Sequence, residues 1–212
     1  TVGAFCVVYG TKNIFSNCLV SNCTIDSALV GYFSTLGNGN AQFNTFQDCK
    51  VYDNRSTISI AGFLTNDANN TFVDCSVYGN TAANSMDSFS IQSNRNTLLN
   101  CSSLNNSVTG GLGLMEGLRL VGSYNEFNNC EFSNNSGTTD ANSYGIRVIS
   151  GSNNFFMRNV AYANGLTSPL IENQLSGVEV GSITTPGGGR NGKPSSRLNS
   201  SKAPWTNLRV TG

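Results

Sequence analysis

The sequence predicts an all-β protein: a solenoid of about six or seven stacked coils of short parallel strands, followed by an extended C-terminal tail. Three observations predict it. An eleven-residue motif recurs six times, the apolar positions inside it alternate with period two, and no window of helical length carries an apolar stripe.

The copies begin Asn13-Ile-Phe-Ser-Asn-Cys18, Asn44-Thr-Phe-Gln-Asp-Cys49, Asn70-Thr-Phe-Val-Asp-Cys75, Asn96-Thr-Leu-Leu-Asn-Cys101, Asn125-Glu-Phe-Asn-Asn-Cys130 and Asn154-Phe-Phe-Met-Arg-Asn159. Their starts lie 31, 26, 26, 29 and 29 residues apart. A second Asn follows ten residues after five of them, at Asn54, Asn80, Asn106, Asn135 and Asn164, with Cys23 in the first copy. Cys49 and Val51 alternate with Lys50 and Tyr52, as in a strand. Phe46 and Cys49 are three apart, which places a bend at Gln47-Asp48. Short alternating runs precede most copies: Cys6/Val8, Ile58/Ile60, Phe89/Ile91, Leu118/Leu120 and Ile146/Val148. Each repeat therefore supplies about three short strands.

A single coil cannot bury its own apolar face, so coils stack and like residues fall above like. Phe46, Phe72, Leu98, Phe127 and Phe156 are expected to form one core ladder; Cys18, Cys49, Cys75, Cys101 and Cys130 another, continued by Asn159. Corner asparagines form amide ladders, which accounts for 31 Asn without any catalytic role. These repeats resemble the right-handed parallel β-helix (pectate-lyase-like) superfamily, which includes pectate lyases, phage tailspikes, and the carbohydrate-binding and sugar-hydrolase repeat proteins. The resemblance spans about residues 4–185 and implies a right-handed coil, in keeping with the usual hand of parallel crossovers.

The seven cysteines contain no C-x-x-C pair. Parallel Cβ vectors on adjacent coils disfavour disulfides, so the ladder is expected to be buried and reduced.

Composition narrows the chemistry. The chain has no histidine, so no Ser-His-Asp triad or His-based zinc site exists. Net charge is zero and only 11% of residues are charged, which disfavours a nucleic-acid partner. No apolar run is long enough to span a membrane. No metal or cofactor is expected. Asp48 and Asp74 are read as the only acids that share one position in consecutive coils and are the weak catalytic candidates, at a spacing that suits a carboxylate pair. Asn17, Asn100, Asn129 and Arg158 fill the same position elsewhere, so a small polar corner residue is the simpler reading. Tyr52 and Tyr78 stack at an outward position suited to sugar contact.

The repeat fades near residue 181, giving a solenoid over 1–185 and a Gly-rich basic tail over 186–212. The tail carries Arg190, Lys193, Arg197, Lys202 and Arg209 and no acid, while the body holds the other seven basic residues and all 12 acids. The chain thus divides into +5 and −5 halves. Trp205, Leu208 and Val210 are the expected anchors, docking preferably on another copy. Strand-like sequence begins at Ala4, so an open first coil offers unpaired edges for association. The expected function is a non-enzymatic structural or adhesive subunit of an extracellular fibre, cell envelope or virion, forming a filament or trimer. The alternative is a protein that binds or cleaves a polysaccharide along its outer wall.

Overall fold

The computed structural model describes residues 3–26, 30–36, 39–110, 113–138, 143–162, 164, 171–173, 178–184 and 205–209. The described residues contain strands and no α-helix, so none of their helices is long and apolar enough to cross a membrane. The strands stack as a parallel β-solenoid.

Four walls run along it. The first comprises Gly3–Val8, Val30–Thr35, Ser59–Thr65, Ser85–Ile91, Leu114–Val121, Ser143–Ser150 and Ile171–Asn173. The second begins Ile14–Ser16, Thr45–Gln47, Thr71–Val73, and the third Leu19–Ser21, Lys50–Tyr52, Ser76–Tyr78. The fourth holds only Thr24–Ile25, Arg55–Ser56, Thr81–Ala82 and Ser107–Val108.

This corrects two expectations. A full coil has four strands rather than three. The stack has about five complete turns rather than six or seven, because six motif copies count passes over one wall. Among the described residues the fourth wall has strands in four passes and a Ser107–Ser136 bridge in the fifth.

Left-handed corners make this path. Asn17, Asp48, Asp74, Asn100, Asn129 and Arg158 all have positive φ of 52–55°. A second row just before each copy does the same (Lys12, Phe43, Asn69, Arg95, Tyr124, Asn153), and so does a third (Asn22, Asp53, Gly79, Asn105, Asn134). Asn and Asp tolerate this region best among non-glycine residues. Each corner sets two successive side chains outward and so resets the alternation. Inward positions then fall at Asn44, Phe46, Cys49, Val51, Asn54 and Ser56, all of them buried.

The ladders are in register. Phe46, Phe72, Leu98, Phe127 and Phe156 are stacked partners on adjacent strands, with Phe15 below Phe46. Ring centroids lie 5.1 Å apart for Phe46–Phe72 and 4.7 Å for Phe127–Phe156, close to the spacing of the strands themselves. A second file, Phe33–Phe63–Phe89, meets the first edge-on. In the third coil Phe63/Thr65 are the partners of Phe89/Ile91, while Ile60 is also buried in the core, in register with Met86, and Ile58 is only half-buried. All seven cysteines are free thiols. Cys49, Cys75, Cys101 and Cys130 are buried, whereas Cys18, in the open first coil, is only half-buried. Burial pushes the Cys101 thiol well above its usual range.

The corner amides supply what the strands cannot. Asn80 Oδ1 accepts from the Asn54 backbone N–H (3.0 Å) and from Asn54 Nδ2 (2.9 Å). Asn80 Nδ2 donates back to the Val51 carbonyl at 3.0 Å. The pattern repeats from Asn106 to Asn164, and a parallel ladder runs from Asn13 to Asn154. At the cysteine corner the thiol makes the same backward contact: Cys75 Sγ meets the Phe46 carbonyl at 3.3 Å.

At the C-terminal end, Trp205–Arg209 pairs antiparallel with Val178–Thr184 of the same chain. The strand expected to dock preferably on another copy thus has its backbone partner in cis. The side chains of Trp205, Leu208 and Arg209, together with Val210, Arg190, Lys193, Arg197 and Lys202, lie outside the described residues.

Two stability measurements check this packing. Phe72→Ala should cost about 3–5 kcal/mol through the cavity left in the ladder, read from urea unfolding. Asn80→Ala leaves the Asn54 N–H and the Val51 carbonyl without this partner and should cost roughly 2–4 kcal/mol; a loss under 0.5 kcal/mol (well below that estimate) would show that the ladder is not a net stabiliser.

Candidate functional site

Asp48 and Asp74 stand one above the other at left-handed corners, where their backbone N–H groups donate to Val73 (3.0 Å) and Leu99 (2.9 Å) carbonyls of the next coil. Asp74 is exposed and Asp48 half-buried. Neither carboxylate makes an ion pair or side-chain hydrogen bond among the described residues. The corner geometry fully accounts for them. Tyr52 and Tyr78 stack at 4.9 Å with rings 6° from parallel, so most of each ring face is spent on its neighbour. The chain contains Asn-x-Ser/Thr triplets of the glycosylation type; among them Asn54 is buried in the amide ladder, while Asn22, Asn100, Asn105 and Asn134 are exposed at corners.

The chemistry gathers instead on the first wall. Midway along each long strand the wall bends inward, and one small residue faces the interior there: Gly62, Ser88, Gly117 or Gly145. A Cβ at Gly117 would lie 2.6 Å from the Gly145 carbonyl oxygen and 3.1 Å from Phe132 Cβ, too close for a side chain. Ser88 fits because its hydroxyl meets Ser103 Oγ at 2.7 Å in the core. Two outward rows flank the bend. One holds Ala61, Asp87, Glu116 and Tyr144; the other Leu64, Ser90, Arg119 and Arg147.

Glu116 is the centre of this cluster. It is fully buried although it sits on the outer side of the wall. Its Oε1 accepts from Arg147 Nη1 at 2.7 Å. Its Oε2 lies 3.5 Å from Arg119 Nε and meets no N–H or hydroxyl donor in hydrogen-bond geometry among the described residues. Arg119 Nε also lies 3.9 Å from Asp87 Oδ2, which accepts from Ser90 Oγ at 3.1 Å. The Arg147 guanidinium stands 4.9 Å above the Tyr144 ring. Asp87, Arg119 and Arg147 keep 22%, 27% and 23% of their side chains exposed, so the cluster opens to solvent through them.

Two carboxyl groups on neighbouring strands compete for charge. Burial pushes Glu116 up to about 8, reinforced by the Asp87 charge and a hydrogen bond with it and opposed by Arg147. Burial also raises Asp87, against the pull of Glu116, Arg119 and Ser90. The pair therefore holds one proton near neutral pH, and the two guanidinium groups leave the cluster with a net positive charge. Such an arrangement can receive an anionic group or hold a proton; it offers no nucleophile other than the carboxylates. Among the described residues no group of His, Cys, Asp or Glu could hold a metal ion.

The sequence did carry a signal for this site. Asp87 and Glu116 each lie nine residues before a motif Asn, at Asn96 and Asn125, and so share one position in consecutive coils. The expectation that only Asp48 and Asp74 do so is corrected. Comparison with family models, with curated proteins and with solved structures finds no match for the chain.

The raised carboxyls set a pH dependence of stability. The native chain keeps the Glu116 proton up to about 8, whereas an unfolded glutamate releases it near 4.5. Stability from this group is complete below the lower value and declines as pH rises through the upper one. Unfolding midpoints should therefore fall between about pH 5 and pH 8, and the decline should be smaller in Glu116→Gln. An equal slope in the two proteins would contradict the assignment.

Proposed function

We propose that the chain is a non-catalytic structural or adhesive element of an extracellular fibre, cell envelope or virion, and that it presents the outer face of its first wall to a polysaccharide. The supporting observation is the placement of Asp87, Glu116, Arg119, Tyr144 and Arg147 in three consecutive coils on one outward face. A core needs no charges there, and a wall of equal strand spacing suits a polymer of repeating units. The resemblance to the right-handed parallel β-helix superfamily supports the same reading. The absence of histidine and the burial of Glu116 argue against turnover: a general acid must reach the leaving oxygen.

A second association surface is favoured by the first coil. Ile14 is 75% and Leu19 54% exposed, and Phe15, Cys18, Cys23 and Ile25 pack on the core with part of their surface uncovered. Edge strands with apolar side chains pair readily with another chain. Self-association is proposed through this end.

Retention on immobilised polysaccharides, acidic and neutral, tests the main reading. The intact folded protein should be retained on at least one polymer and should release no sugar from any, with or without calcium. Folded protein that binds none removes the adhesive reading. Cleavage abolished by Asp87→Asn or Glu116→Gln would make the protein an enzyme. Ile14→Lys should shift any assembly seen in sedimentation toward smaller species.

A further inference from the structure

We propose that Arg119, backed by the Asp87–Glu116 pair, forms a subsite for a saccharide carboxylate. The subsite deepens the polysaccharide reading above and rests on it for the ligand's class.

The geometry of Arg119 carries the argument. Its Nε is the atom turned to both carboxyls, at 3.5 Å from Glu116 and 3.9 Å from Asp87. Among the described residues its two terminal nitrogens make no hydrogen bond or ion pair, and the side chain is 27% exposed. An arginine held through Nε offers its remaining N–H groups to a partner, and a carboxylate matches them in a bidentate manner. An arginine whose Nε is drawn toward two carboxyl groups also loses less freedom on binding than a free one.

The second observation is the Glu116 Oε2 atom, fully buried and with no N–H or hydroxyl donor in hydrogen-bond geometry among the described residues. A buried carboxyl oxygen in this state costs free energy as an anion and less as an acid. Every charged or titratable group packed around it enters the balance. Asp87 stands on the strand before, Arg119 on its own strand, and Arg147 and Tyr144 on the strand after. Glu172 follows beside Arg147 in the backbone register of the next strand. With one proton on the pair, the four groups Asp87, Glu116, Arg119 and Arg147 sum to +1 and attract one carboxylate. With none they sum to zero, and the Arg119 charge is spent on its neighbours. Carboxylate affinity therefore falls as pH rises and the last proton leaves. The direction of the Glu116 shift agrees with this.

Calorimetric titration with three probes tests the subsite: free glucuronate, a short oligouronate, and the neutral oligomer obtained by reducing its carboxyl groups. The acidic oligomer should bind about tenfold more weakly at pH 9 than at pH 6, and more strongly than the neutral one at pH 6. Glu116→Gln, fixed in the neutral form, should keep its pH 6 affinity at pH 9. Arg119→Gln and Arg119→Lys should both lose tenfold or more at pH 6, with a retained β-sheet circular dichroism spectrum showing that the wall is intact. Acidic and neutral oligomers bound equally at all pH values would overturn the subsite and leave the adhesive reading standing. Glucuronate binding lost in Arg119→Gln, with no polymer bound, would keep the subsite and remove the adhesive reading. Failure of all three probes removes both.

Discussion

At every corner of the coil the backbone leaves its ladder, and the amide and carbonyl groups there must find partners away from water. A buried amide or carbonyl without a partner costs about 1–3 kcal/mol, and a solenoid multiplies that cost by its corners. The asparagine side chain meets the need because it has one acceptor and one donor group in fixed opposition. Its oxygen takes the N–H of the coil below and its nitrogen returns to a carbonyl of that coil, as Asn80 does between Asn54 and Val51. The rest follows from this. Coils separated by a ladder step must repeat in register, so Phe falls on Phe and Cys on Cys. The outward rows of the first wall inherit the same register, which is why Asp87 meets Glu116.

Cysteine occupies one ladder where asparagine occupies the others, and the comparison is informative. The Cys75 thiol reaches the Phe46 carbonyl as Asn159 Nδ2 reaches that of Phe127, at 3.3 Å against 2.9 Å. A thiol is a weaker donor but carries no polar atom in excess, and it is flanked by Phe ladders in the apolar interior. Where the file ends at Asn159, its Oδ1 accepts the Cys130 N–H at 2.8 Å. The interior thus tolerates either solution to the same geometric problem.

The solenoid and its core were legible because the motif fixes both spacing and face. Phe72 and Cys75 needed only their place in the copy. The first wall was harder to read. Its inward bend at Gly62, Ser88 and Gly117 puts two successive residues inside and breaks period two, so alternation alone matches Ile58/Ile60 to Phe89/Ile91, although Ile60 is the partner of Met86. Phe33 was hidden by the longer connection in its coil: it lies 11 residues ahead of Asn44, whereas Phe63, Phe89 and Leu118 lie seven ahead of theirs. The carboxyl pair stood at the repeat distance of 29 residues, but its position lies outside the motif. The burial of Glu116, which gives the pair its character, comes from side chains of three strands and cannot be read from any one of them.

The parallel ladders also determine how such a molecule yields to force. Hydrogen bonds between successive coils point along the solenoid axis, so tension applied between the two ends loads them one row at a time. A coil at the end has a neighbour on one side only and yields first. Each coil holds 26–31 residues, so its release lengthens the chain by roughly 90–110 Å at full extension. An element of this design releases chain in steps of similar length, each set by one coil.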